Sequence, residues 1–532
     1  AASDVYKRQI MSNKIYPIGI QNFEKIRRDG YFYVDKTAHV YQLAKSGSYY
    51  FLSRPRRFGK SLLLSTLEAY FEGKKELFAG LAIERLEKDW KRYPVLHLDL
   101  NARQYENIGS LLEELNKYLE IWEQAYDSPF GDRKPEERFF QVIRRAYEKT
   151  GQRVVVLIDE YDKPLLQAIG KPELQEAYRS LLKAFYGVMK SADGYIRFAM
   201  LTGVTKFSKV SVFSDLNNLK DISMHREFVD VCGITEKELH ENLESELHEL
   251  SDSLNMDYNK VCQEMKRRYD GYHFAADTVG LYNPFSLLNT FDAEQFGSYW
   301  FATGTPSYLV ELLKRNHYDL DRLAHEETDA ETLDGVDSVD SDPIPVIYQS
   351  GYLTIKGYDA EFGMYRLGFP NLEVEEGFVK YLLPFYTNVS ASKTPFEISR
   401  FIREIRSGDY DAFFRRLQGF FADTPYETVT GLKPERDTEL HYQNVLFIVF
   451  RLIGLYTKVE YHTNRGRIDL VLQTDRYIYV MEFKLNGTAE EALHQINEKQ
   501  YVQAFAADGR QIIKIGVNFS SETRNIEKWV VS

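Results

Sequence analysis

Only two cysteines, Cys232 and Cys262, occur in the 532 residues. Neither a disulfide framework nor a zinc site made of cysteine alone can be built from them, and a reducing compartment such as the cytoplasm fits. No apolar run approaches a membrane span. The best candidate, Val445 to Tyr456, is short and carries Arg451. No signal-peptide core is seen near the start. Residues 1–14 read as a non-native or disordered leader, with Met11 as the expected start. There is no internal repeat and no low-complexity tract. An excess of positive charge is also missing. Lys and Arg number 67 against 79 Asp and Glu, a net charge of −12. That argues against a non-specific nucleic-acid binder, which shows a basic footprint.

The acidity is uneven. Residues 317–342 hold ten acidic residues and one arginine. A solvated loop or linker is expected there. From Lys433 onward, 13 basic and 13 acidic residues balance, so a nucleic-acid contact stays open. Aromatics are abundant, with 38 Tyr and 34 Phe, which fits large cores with tyrosines at their rims. The length is too great for one core and predicts two to four domains.

Three blocks follow one another. In the first, 15–227, short apolar strands at Tyr49–Ser53, Val95–Leu100, Val154–Ile158 and Ile196–Thr202 alternate with helical stretches such as Ser61–Phe71, Ser110–Ala125 and Glu173–Lys190. That alternation predicts a mainly parallel α/β sheet. The second, 228–430, is mainly helical by pattern, with strand-like patches at Gly351–Lys356 and Tyr365–Gly368. The third, 431–532, predicts a long helix, two tandem strands, a helix over Glu490–Ala507 and a last strand at Ile512–Asn518.

Arg54-Pro-Arg-Arg-Phe-Gly-Lys-Ser61 lies between a strand and a helix, where a phosphate loop belongs. Backbone N–H groups at the helix start would hold phosphates, Lys60 would reach the terminal ones, and Ser61 would ligate Mg²⁺. Arg54, Arg57, Phe58, Gly59, Lys60, Ser61 and Leu62 are the candidate contacts to ATP. The usual pattern has glycine at the position of Arg54. Val154-Val-Val-Leu-Ile-Asp-Glu160 is an apolar strand ending in two carboxylates. Asp159 would complete the Mg²⁺ shell and Glu160 would act as general base. Thr202, ending the next strand, could contact the terminal phosphate. The plainer alternative is a surface basic cluster and a helix cap.

Near the C-terminus, Arg467-Ile-Asp-Leu-Val-Leu-Gln-Thr474 and Tyr477-Ile-Tyr-Val-Met-Glu-Phe-Lys484 both alternate like strands. A two-residue turn at Asp475-Arg476 would make Asp469 and Glu482 direct cross-strand neighbours, with Lys484 on the same face. Two carboxylates can hold Mg²⁺, and a lysine can orient water and stabilise phosphate charge. That set suits phosphodiester hydrolysis. Glu439, at the start of the preceding helix, could add a third acid, with Glu435 as its rival. Gln495, Lys499 and Tyr501 are supporting candidates. The plainer alternative is an exposed salt-bridged sheet face.

These segments, together with Tyr16-Pro-Ile-Gly-Ile20, Tyr33-Val-Asp-Lys-Thr37, Leu157-Ile-Asp-Glu-Tyr-Asp-Lys-Pro164, Leu201-Thr-Gly-Val-Thr-Lys-Phe207, Tyr269-Asp-Gly-Tyr-His-Phe274, Tyr282-Asn-Pro-Phe285, Gly351-Tyr-Leu-Thr354, Gly466-Arg-Ile-Asp469 and Glu482-Phe-Lys484, carry a resemblance. The chain resembles the bacterial family that fuses an AAA-type ATPase-like domain to a C-terminal PD-(D/E)XK nuclease-superfamily domain. The family's phosphate loop is itself arginine-rich. The resemblance implies a P-loop domain over 15–227, a helical middle region and a restriction-endonuclease-like α/β domain over 431–532. It implies Asp469, Glu482 and Lys484 as the nuclease core, with Glu439 as the helix acid. The expected activity is an ATP-dependent or ATP-gated, Mg²⁺-dependent nuclease. The alternative is a nucleotide-dependent switch or scaffold that binds nucleic acid or protein without cutting. Expected partners are ATP, nucleic acid (DNA ahead of RNA) and further copies of the chain, with no membrane.

Overall fold

The computed structural model describes residues 14–128, 133–206, 216, 218–301, 307–334, 342–387, 389–422, 434–464, 467–498, 501–505 and 508–532. The expected leader lies almost wholly outside them, as do Lys499 and the side chains of Glu435, Glu439, Asp469 and Tyr501. The chain forms two compact units. One comprises Ala1–Thr303 with Glu327–Glu373, the other Gly304–Glu326 with Val374–Ser532. Residues of the helical middle block therefore fall in both. No described helix is long and apolar enough to cross a membrane.

In the first unit, β1 (Tyr49–Ser53), β2 (Val95–Asp99), β3 (Val154–Asp159), β4 (Ile196–Gly203) and β5 (Lys220–Asp221) form one sheet in the order β2-β3-β4-β1-β5. Every pairing is parallel, as the strand–helix alternation requires. β1 and β3 are buried along their whole length, because helices cover both faces of such a sheet. The covering helices are amphipathic. Ile108–Ala125 buries Leu111, Leu115, Leu119 and Trp122 at helical spacing, and Asn107 caps its start through the Ser110 N–H. Pro135–Thr150 buries Phe139, Val142, Ile143 and Ala146, and ends at Gly151 with φ 65°. The register aligns Ser53 with Gly203 and Asp99 with Asp159. The loops that carry the motif residues therefore leave at one edge, where open α/β sheets bind ligands.

The rest of this unit adds β6 (Ile234–Thr235) paired with β7 (Leu281–Tyr282), and a small sheet of β8 (Glu327–Asp329), β9 (Thr354–Asp359) and β10 (Met364–Gly368) in the order β8-β10-β9. Helices Glu236–Ser253, Tyr258–Tyr269 and Pro284–Ala293 share a core of Leu239, Leu243, Leu247, Val261, Met265 and Phe291.

The acidic segment is not the solvated loop expected of it. Within it, Leu320–Ala324 is a 3-10 turn that buries Leu320 and Leu323 in the second unit. Glu327–Asp329 is β8, and the helix Ala330–Asp334 follows in the first unit. Its interspersed leucines explain this, since charge content alone hides a short apolar anchor. Residues 335–341 lie outside the description.

In the second unit, β11 (Lys458–Asn464), β12 (Arg467–Gln473), β13 (Tyr477–Leu485), β14 (Gln511–Ser520) and β15 (Asn525–Val531) lie in chain order. Three strands are expected from the sequence and five are found. The additional ones, β11 and β15, are the edges, where polar composition blurs the alternation. β13 and β14 are parallel, joined by the helix Ala489–Glu498. Tyr501–Phe505 is a 3-10 turn where the sequence predicts a continuous helix. The helix Ala489–Glu498 packs so closely on β14 that a Cβ at Gly516 would lie 2.1 Å from the Ala489 carbonyl oxygen. The long helix Pro434–Gly454 buries Val445, Leu446, Ile448, Val449 and Leu452, so the longest apolar stretch is core.

Candidate functional site

The loop after β1 reaches the helix Lys60–Phe71 through two left-handed residues, Arg57 at φ 66° and Gly59 at φ 98°. A Cβ at Gly59 would meet nothing within 4 Å, so its positive φ is what calls for glycine. Lys60 is buried at the helix start. Its ammonium donates to the Arg54 carbonyl at 3.1 Å and the Pro55 carbonyl at 3.4 Å, and lies 3.1 Å from Glu160 Oε1. Glu160 itself has φ 51°, a costly conformation for a non-glycine residue and one that clusters at functional sites.

β4 lies between β1 and β3, so its end comes between the two motif strands. There the Thr202 hydroxyl donates to Asp159 Oδ1 at 2.5 Å, and both residues are buried. One step on, Asp162 is 0% exposed. It accepts from the Val204 N–H at 3.1 Å and from both the N–H and the hydroxyl of Thr205 at 2.6 Å. Burial, reinforced by the charge of Glu160, raises its carboxyl to about 6. Asp162 thus fastens the end of β4 to the acidic loop.

A cavity of about 430 Å³ opens over this edge. Arg57, Gly59, Lys60, Ser61, Leu62 and Glu160 line it, as expected of phosphate-loop and strand-end residues. Its volume and basic lining suit a nucleotide. Four other candidates have side chains turned elsewhere. Arg54 is 1% exposed, and its guanidinium donates to the carbonyls of Ser53, Ser223, Phe228 and Val229 while stacking 4.0 Å over Phe274. Burial lowers its pKa to about 10. Phe58 packs edge-on against Tyr272 and Phe274. Asp159 and Thr202 sit beneath the cavity, paired with each other. The lining also includes residues outside the phosphate loop and the strand-end acids. Pro17–Gln21 and Phe285 are among them, and so are Asn101, Gln104, Lys163 and Gln167. Asn101 and Lys163 come together because β2 and β3 are neighbours, whereas Pro17–Ile20, Lys163 and Phe285 belong to segments that carry the family resemblance.

In the second unit, the hairpin has the expected register. Asp469 lies directly opposite Glu482, and the Thr474 N–H donates to the Tyr477 carbonyl at 2.8 Å around Asp475-Arg476. Lys484 is two residues beyond Glu482 on the same strand and half-buried, whereas Glu482 is 0% exposed. Glu439 lies in the first turns of the helix Pro434–Gly454. Two carboxylate positions in register with a lysine at period two form a donor set that suits a hard divalent cation.

The comparisons with known proteins match both units. A family model described as a predicted AAA-ATPase covers residues 17–213. A second, described as the PD-(D/E)XK nuclease superfamily, covers residues 437–529. An Azotobacter chroococcum mcd 1 protein, described as an uncharacterized protein in the vnfD 5' region, is 38% identical over 528 residues, 98% of this chain and 99% of that protein.

Proposed function

This chain belongs to the family that joins an AAA-ATPase-like domain to a C-terminal PD-(D/E)XK nuclease-superfamily domain, and on that premise we propose that it is an ATP-gated, Mg²⁺-dependent nuclease of the cytoplasm. The observation that carries the cleavage reading is the Asp469–Glu482 register with Lys484 following on β13. Asp469, Glu482 and Glu439 would hold the ion, and Lys484 would orient the attacking water. Bound Mg²⁺ supplies a more acidic water and charge neutralisation at phosphate oxygens.

In the first unit, Lys60 would bind the terminal phosphates and Ser61 would hold the ion, with Asp159, kept oriented by the Thr202 hydroxyl, behind it. Glu160 here neutralises Lys60. It exchanges that lysine for the attacking water once Lys60 pairs with phosphate, and then acts as general base. The two carboxylate sites have separate tasks, one gating and one cutting, with DNA ahead of RNA as the substrate.

The test is a cleavage assay on single- and double-stranded DNA and RNA with Mg²⁺ or Mn²⁺, with and without ATP. Cleavage that vanishes in Asp469→Ala supports the nuclease, and its ATP dependence supports the gating. No cleavage of any substrate by a protein that still binds ATP would replace the reading with a nucleotide-dependent switch or scaffold.

A further inference from the structure

Lys163 is a cation of the cavity that the phosphate-loop motif leaves unexplained. It follows the acidic loop after β3, whereas Lys60 comes from the loop after β1, and β4 separates those two strands. Both lysines line the same cavity, together with Arg56 and Arg57. Among the lining residues the matching acid is Glu160 alone. Four cations against one carboxylate repel one another unless an anion joins them.

The ammonium of Lys163 is already placed. Asn101, just beyond β2, accepts from it through its side-chain oxygen at 3.0 Å and also through its backbone carbonyl. An ammonium carries three donors. Among the described residues no other acceptor engages it. The wall around it is held too. Gln167 accepts from the Tyr105 N–H at 2.7 Å and donates to Gln104 Oε1 at 2.7 Å. Burial lowers the pKa of Lys163, the charges of Glu160 and Asp99 work against that shift, and the charge of Arg56 adds to it. The lysine therefore feels both a carboxylate that an anion could replace and a like charge that an anion would relieve.

We propose that Lys163 is a phosphate-binding residue that contacts the terminal phosphate of a nucleoside triphosphate from the β2–β3 side, while Lys60 holds it from the β1 side. This rests on the nucleotide reading of the cavity. A lysine clamped before the ligand arrives loses little further freedom on binding, so its contact adds to affinity. Because it meets the terminal phosphate, it separates triphosphate from diphosphate.

The experiment is equilibrium binding of ATP and of ADP, each with Mg²⁺, to the full chain and to Lys163→Met, Lys163→Arg, Asn101→Ala and Lys60→Ala, with thermal unfolding of each. A charge-assisted hydrogen bond is worth about tenfold or more in affinity. Lys163→Met is expected to weaken ATP by about that factor and ADP by less than about twofold. Lys163→Arg should restore most of the loss. Asn101→Ala should lower the ATP-to-ADP preference in the same direction without touching the lysine, which keeps the test available if Lys163→Met does not fold. Lys60→Ala should lose both nucleotides. Equal losses of ATP and ADP in Lys163→Met, or no loss of ATP, would overturn the proposal while leaving the nucleotide site standing. A wild-type chain that binds neither nucleotide would overturn both.

Discussion

Lys60 Nζ lies 3.1 Å from Glu160 Oε1, so the phosphate-loop lysine and the strand-end acid neutralise each other across the cavity. That mutual hold makes their variants separable.

Lys60→Ala should abolish ATP binding, measured by titration with a fluorescent nucleotide. Glu160→Gln should keep binding and lower hydrolysis by about 10²- to 10⁴-fold, the range of a lost general base. A Glu160→Gln chain that hydrolyses at the wild-type rate would remove Glu160 from the chemistry.

Asp469→Ala and Lys484→Ala should each remove metal-dependent cleavage and leave ATP affinity within about twofold. The same gel assay reports cleavage, and the nucleotide titration serves as its control. Cleavage that survives Asp469→Ala would show that the cross-strand pair is structural.

The buried Glu373 supplies a pH signature of stability. It accepts from the Ser286 hydroxyl and the Trp300 N–H, each at 2.7 Å, and burial raises its carboxyl from 4.5 to about 7. Between those values the folded chain keeps a proton that the unfolded chain has lost, so stability falls as pH rises through that window. Glu373→Gln stays neutral and can keep both partners, because the Ser286 hydroxyl can turn to accept. Urea unfolding should therefore show wild type losing on the order of 2–3 kcal/mol more than the variant between pH 4.5 and 7. Parallel losses in the two proteins would show that other groups set the slope.

Arg54→Met should destabilise the first unit by about 2–4 kcal/mol, because the guanidinium's hydrogen bonds to four buried carbonyls are lost and only the Phe228 carbonyl keeps a backbone partner, the Val231 N–H, among the described residues. Urea unfolding at fixed pH reads this directly. A variant of wild-type stability with weakened ATP binding would return Arg54 to the nucleotide.

Gly203→Ala tests the seam between β4 and the acidic loop. A Cβ there would lie 2.5 Å from Asp162 Oδ1 and 2.7 Å from the Tyr161 ring. The clash should cost about 1–3 kcal/mol and loosen Thr202 against Asp159, lowering hydrolysis more than binding. Unchanged unfolding and turnover would show that the seam yields freely.

The sequence by itself determined the features that local rules govern. Period-two alternation on both sides of Asp475-Arg476 was enough to set Asp469 against Glu482, because a two-residue turn leaves one register. The apolar strands at Tyr49–Ser53 and Val154–Asp159 were legible because a strand covered on both faces is continuously hydrophobic. What only the tertiary structure decided depends on which strands become neighbours. The order β2-β3-β4-β1 brings Thr202 to Asp159 and Asn101 to Lys163, pairs 43 and 62 residues apart in the chain. It also decided the direction of Arg54, which sits in a phosphate-loop motif yet spends its guanidinium on carbonyls as distant as Val229. Side-chain direction follows from whatever packs around the loop, and those partners are brought there by topology rather than by spacing along the chain.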